Sequence, residues 1–131
     1  MKIVVDTSVI IAVITNEIHK KDLVEITKDT ELIAPPSLHW EIGNAFSAMF
    51  RRDRISLEQA KSALLEYQKI PIKFHDIRLD SVLELSQKYE LYAYDVYFLL
   101  CAKNLKIPLL SLDKQMIESS KLMGIKIIEV Q

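Results

Sequence analysis

Glycine is nearly absent: Gly43 and Gly124 are the only two in 131 residues. The phosphate-cradling P-loop and the dinucleotide fingerprint each need several glycines close together, so nucleotide cofactors held in those ways are excluded. Cysteine is reduced to Cys101, inside the apolar run Val96 to Ala102. A thiol with no internal partner in such a run is expected to be buried and inert, in a reducing, cytoplasmic setting. Long apolar runs are missing too. Met1 to Val5 meets the charge of Asp6 too early for a signal peptide, and no later run approaches the ~18 residues of a membrane span. The expected protein is soluble and has no membrane partner. Nor is there an excess of charge: with a formal net charge of −1, contact with a polyanion must rest on a local basic patch.

What is present suffices for one domain. Half of the residues are apolar, enough to bury a core without disulfides or a structural metal. No internal repeat, low-complexity tract or linker interrupts residues 1–131. Short β-branched or apolar runs, Ile3 to Val5, Leu32 to Ala34, Ile72 to Phe74, Pro108 to Leu112 and Ile125 to Val130, are predicted as buried strands. Helical spacing marks Val9 to Thr27, Ser37 to Phe50, Leu57 to Lys69, Ile77 to Tyr89, Ala93 to Leu105 and Lys114 to Met123. Strands alternating with helices predict an α/β fold, a central parallel β-sheet flanked by helices on both faces. Pro35-Pro36 reads as a stop between a strand and a helix.

In an open parallel sheet, ligands bind beyond the carboxyl ends of the strands, where helices present their positive N-termini. Asp6 directly follows the first predicted strand and Asp113 the fourth. Glu41 lies about one turn into the helix that opens near Ser37, beside Leu38, Asn44 and Ala45. Asp95 falls early in its helix with Leu91, Tyr92, Phe98 and Leu99 as neighbours. By contrast, Asp76, Asp80, Glu84 and Lys88 repeat every four residues as an ordinary solvated face. Asp6 and Asp113 would each serve as plain N-caps, and Glu41 and Asp95 as first-turn acids answering the helix dipole. The set of four is what points elsewhere. Ionised carboxylates against apolar neighbours are costly. If the four converge, either some protonate or a hard divalent cation sits among them; all-oxygen ligands suit Mg²⁺ or Mn²⁺ rather than Zn²⁺.

Other residues have simpler readings. Ser8 and Asn44 would support the acids or be ordinary helix residues, and Trp40 is expected to pack half-buried beside Leu38 and Ile42 rather than to stack on a base. Arg51, Arg52 and Arg54 lie ~15 Å or more along the helix from Glu41, too far to touch reacting atoms at that acid but able to bind RNA further out. Lys114 is nearer by sequence. His19, His39 and His75 show no metal-ligand spacing.

Four segments together resemble the PIN domains, and within them the VapC-like toxins of prokaryotic toxin-antitoxin pairs. Ile3-Val4-Val5-Asp6-Thr7-Ser8 is similar to the first motif, a hydrophobic strand ending in Asp-Thr/Ser-Ser. Trp40-Glu41-Ile42-Gly43-Asn44-Ala45 resembles the second, a helical Glu with Asn three residues later. Leu91 to Ala102, centred on Asp95, resembles the third, and Leu110-Ser111-Leu112-Asp113-Lys114 the last. The resemblance runs nearly the whole chain, departing in the helix-weakening Gly43 and in the lack of a further acid soon after Asp113. It implies a PIN domain over residues 1–131 and an endoribonuclease whose catalytic and metal-binding residues are Asp6, Glu41, Asp95 and Asp113. It also implies a homodimer, with a cognate VapB-like antitoxin whose tail enters the acidic groove. Four carboxylates would repel an anionic RNA phosphodiester unless cations intervened, so Mg²⁺, or Mn²⁺ in its place, is expected to activate water for hydrolysis.

Alternatives differ in their acids. A non-catalytic PIN-like interaction module would keep the fold and lose acids, whereas all four are present. A receiver domain would want paired acids after the first strand, and an aspartate-nucleophile phosphatase would need Asp where Ser8 stands.

Overall fold

The computed structural model describes residues 1–130. The first strand, β1 (Lys2–Val5), is apolar beyond its first residue, and Ile3, Val4 and Val5 are fully buried. It leads through Asp6 into α1 (Thr7–Ile14) and α2 (Lys20–Thr27), then β2 (Glu31–Ala34). There follow α3 (Leu38–Arg51), α4 (Leu57–Gln68), β3 (Ile72–Phe74), α5 (Leu79–Tyr89) and α6 (Ala93–Leu105). The chain continues as β4 (Leu109–Leu110), α7 (Lys114–Leu122) and β5 (Ile127–Ile128).

All strand pairs are parallel, in the order β3-β2-β1-β4-β5, with Ile3 opposite Leu32 and Val5 opposite Leu110. Chain order therefore runs outward from β1 to β3, returns to β4 on the other side of β1, and runs outward again. Right-handed crossovers put α1 to α4 on one face and α5 to α7 on the other. Packing agrees: α1 lies against α2, α3 and α4, while α6 lies against α5, α7, β1 and β4. The predicted parallel sheet, covered on both faces, is what forms. Its centre is built from Ile3, Val4, Leu109 and Leu110 with Ile10, Leu38, Ile42, Phe98 and Leu99 packed around them. Val82, Val96 and Leu100 make a smaller cluster between α5 and α6.

Two predicted boundaries change. The segment Val9 to Thr27 is not one helix: α1 ends at Ile14 and α2 starts at Lys20. Asn16 takes a left-handed φ of 58°, and the Glu17 amide donates to the Ala12 carbonyl at 2.8 Å, closing a Schellman turn. Asn tolerates that backbone well, so the break needs neither Gly nor Pro. The last two strands are also shorter than predicted, because Ile125 donates its amide to Ser120 to end α7 and the chain after Leu110 turns to place Ser111. No described helix is long and apolar enough to cross a membrane.

Candidate active site at the strand ends

The reversal of strand order between β1 and β4 opens a crevice at their carboxyl ends, where open α/β sheets bind ligands. Asp6 sits in it, buried, at the end of β1. One carboxylate oxygen accepts from Ser8 Oγ at 2.6 Å and from the Val9 amide at 3.2 Å, the second bond capping α1. The other oxygen accepts from Ser111 Oγ beyond β4. Ser8 Oγ in turn accepts from the Leu112 amide at 3.0 Å, and Ser111 Oγ from the Asp113 amide at 3.0 Å. Two serines thus tie the loops after β1 and β4 around one carboxylate. Burial raises the Asp6 carboxyl from 3.8 to about 6; the hydrogen bonds from Ser111, Ser8 and Val9 oppose the rise, and the nearby Asp113 charge adds to it.

Glu41 reaches the crevice from the first turn of α3, held by Ser37 Oγ at 2.8 Å. Its carboxyl is pushed up from 4.5 to about 7, first by burial and then, against the Ser37 hydrogen bond, by the charges of Asp95 and Asp6. Thr7 Oγ1 lies near enough to favour the Glu41 charge, yet it makes no well-formed hydrogen bond and is buried without a partner. Asp95, in the first turn of α6, is half-buried; burial raises its carboxyl, and the Asp113 charge adds. Asp113 is exposed and caps α7, accepting from the amides of Gln115 at 2.9 Å and Met116 at 3.3 Å.

The four acids predicted from sequence therefore come to one edge of the sheet. Glu41 arrives from one helical layer, Asp95 from the other, and Asp6 and Asp113 from the strand ends between them. Their charges bear on one another in the pairs Asp6 with Asp113, Glu41 with Asp6, Glu41 with Asp95, and Asp95 with Asp113. Among the described residues, however, no three acidic, imidazole or thiol side chains converge closely enough to grip an ion as they stand. Serines and amides hold Asp6, Glu41 and Asp113 to their own supports. The chemistry of the donors nonetheless fits a hard divalent cation: four carboxylates that repel one another, two of them pushed towards neutral pH, beside an orphaned threonine hydroxyl.

Some residues differ from expectation. Trp40 is not half-buried; it is 75% exposed, because Leu38 and Ile42 take the inner face of α3 and leave the residue between them pointing outwards. Ser111 carries a structural role that sequence reading passed over. Its signal was a small polar residue between two leucines just before Asp113, which is weak without knowing that β4 lies beside β1. Ser8 does support Asp6. Asn44, Lys114, Arg51, Arg52 and Arg54 are exposed.

A parallel sheet whose acids gather where its chain order reverses defines a doubly wound α/β protein with an acidic edge at its strand ends. The PIN domain model matches residues 3–122, and the chain belongs to the PIN domain family, whose members are generally nucleases. VapBC2 from Rickettsia felis, solved bound to a DNA fragment from their promoter, superposes with a TM-score of 0.70 at 12% identity, covering 100% of both chains. PAE2754 from Pyrobaculum aerophilum superposes with a TM-score of 0.68 at 20% identity, covering 97% of this chain and 83% of that one. At such identities the likeness is one of fold. No curated protein matches the chain.

Proposed function

We propose that the chain is a divalent-metal-dependent endoribonuclease and the toxin of a VapBC-type pair. The observation that carries this reading is the meeting of Asp6, Glu41, Asp95 and Asp113, from four separate elements, at the switch point of a PIN fold. These four residues would hold Mg²⁺ or Mn²⁺ directly or through water. When bound, the metal supplies charge neutralisation at the phosphodiester and activation of the attacking water. The protein's own contribution is placement. Ser8 and Ser111 fix Asp6, Ser37 aims Glu41, and the α7 amides fix Asp113.

Water as nucleophile leaves the 2′-hydroxyl unused, so with the 3′ oxygen as leaving group the products carry 5′-phosphate and 3′-hydroxyl ends. End-labelling of fragments made by purified protein tests this. Cutting is expected to stop in chelator, return with Mg²⁺ or Mn²⁺, and vanish in Asp6→Asn; cyclic phosphate ends, or full activity of that variant, would refute it. The likeness to VapBC2 supports an antitoxin partner; on this reading the chain is a homodimer, and the antitoxin's bound tail carries an Arg or Lys to supply the positive charge the crevice lacks. Co-purification from the native host should recover such a small protein.

A further inference from the structure

The edge of the sheet opposite the acids carries lysines. In a parallel sheet all amino ends lie together, and Lys28, Lys69, Lys106 and Lys126 fall within three residues before β2, β3, β4 and β5, while Lys2 opens β1. The acids in the same strand-entry segments are Asp29 and Glu31, and Glu31 is taken by Lys73 at 3.7 Å. A cavity of about 420 Å³ opens at this edge, between α1, α2 and the turns that lead into β2 and β3. Its wall is apolar, built from Val9, Ile10, Val13, Leu23, Leu32 and Ile70. Lys28, Asp29 and Lys69 line its mouth, where those turns are exposed. The threonine hydroxyls beside it are spent on the chain itself: Thr27 Oγ1 donates to the Leu23 carbonyl and Thr30 Oγ1 to the Thr27 carbonyl, each at 2.7 Å. Folded interiors are packed like organic crystals and leave few voids larger than a water molecule. A space of this size falls in the range of ligand pockets, about 300 to 1,000 Å³, and its apolar wall gives water too few partners.

We propose that this cavity binds a small amphipathic anion, an acyl chain ending in a carboxylate, with the chain on the α1 and α2 wall and the carboxylate at the lysines of the mouth. Lys28 has no ion partner among the described residues, and Lys69 has only the exposed Glu66 at 3.2 Å, so both ammonium groups are open to a ligand. Asp29 is the one acid at the mouth, set against two lysines. A cationic head would meet the lysines of the whole edge, and a wholly apolar molecule would leave them unused. Val9 joins the cavity to the acidic edge: it lines the wall, and its amide donates to Asp6 at 3.2 Å. A bound chain therefore braces the first turns of α1, with no need of metal or RNA.

The probe is octanoate below its micelle concentration, with octanol and octylammonium as the same chain carrying no charge or the opposite one. Titration calorimetry of the full chain in chelator should show one molecule bound per chain, on the order of fivefold tighter for octanoate than for octanol and weakest for octylammonium. Amide hydrogen exchange from Val9 to Val13 should slow in octanoate. Lys28→Gln combined with Lys69→Gln should bring octanoate down to the affinity of octanol, and Val13→Phe, which fills the cavity, should abolish binding of both. Val24, another lining residue, is 50% exposed, so Val24→Glu keeps the fold and should repel the carboxylate even where the filled variant melts. No binding, equal affinity for octanoate and octylammonium, or several molecules bound per chain overturns the proposal. So does octanoate bound as tightly by Val24→Glu and by the double lysine variant as by the wild type.

Discussion

Asp6 is held by three hydrogen bonds, from Ser8, Val9 and Ser111, yet burial outweighs them and leaves its carboxyl higher than an ordinary aspartate. Because the folded value, about 6, exceeds the ordinary 3.8, the native state binds the proton more tightly than the unfolded chain does. Its contribution is therefore favourable at low pH and is lost as pH rises from about 4 to about 6. The size is about 3 kcal/mol, from 1.36 kcal/mol per unit of pKa. In chelator, the melting temperature is expected to fall over that range, with Glu41 extending the fall towards pH 7. Asp95→Asn, which removes one of the repelling charges, should melt higher than wild type in chelator at pH 7 and lose that advantage in Mg²⁺. Equal destabilisation in both conditions would make Asp95 a structural residue instead. Among single residues, the four acids were legible because each broke the local apolar pattern in sequence. Ser111 was not, because its partner Asp6 is 105 residues away and nothing local requires a hydroxyl there.

At the scale of elements, the shortage of glycine has a visible result. Helices end on non-glycine residues in the left-handed region: Asn16 after α1, Asp53 after α3, Glu90 after α5 and Lys106 after α6. Glu90 and Lys106 carry a Cβ into a conformation that costs an L-residue roughly 1–2 kcal/mol. Meanwhile Gly43 occupies the interior of α3, with nothing near the position a Cβ would take. Glu90→Gly and Gly43→Ala are each expected to stabilise the protein by about 1 kcal/mol, measured by urea unfolding. These terminations explain why helices were easier to find than to bound. Periodicity marks a helix body, but the split of Val9 to Thr27 turns on one backbone conformation at Asn16, a residue that fits helices and turns alike. Likewise, Trp40 had apolar neighbours in sequence, yet those neighbours filled the inner face and left it outside.

Across the whole molecule, alternation of strands and helices made the parallel α/β class legible, whereas strand order was not, since β1 beside β4 joins segments about a hundred residues apart. The same pairing sets a limit on when the site can exist. Asp6, Glu41 and Asp95 all precede residue 109, while Ser111, the Leu112 amide that holds Ser8, and Asp113 all follow it. A fragment of residues 1–108 is expected to bind no RNA and to show no cooperative melting, because it lacks the strand that closes the sheet beside β1. On the ribosome, domains emerge from the N-terminus at about 5–20 residues per second. Until Asp95 is made the nascent chain carries at most two of the four acids, and until Asp113 follows there is no assembled crevice. On the proposed nuclease reading, the chain stays harmless to the message and machinery producing it until its last segment is released, by which time the proposed partner can be waiting.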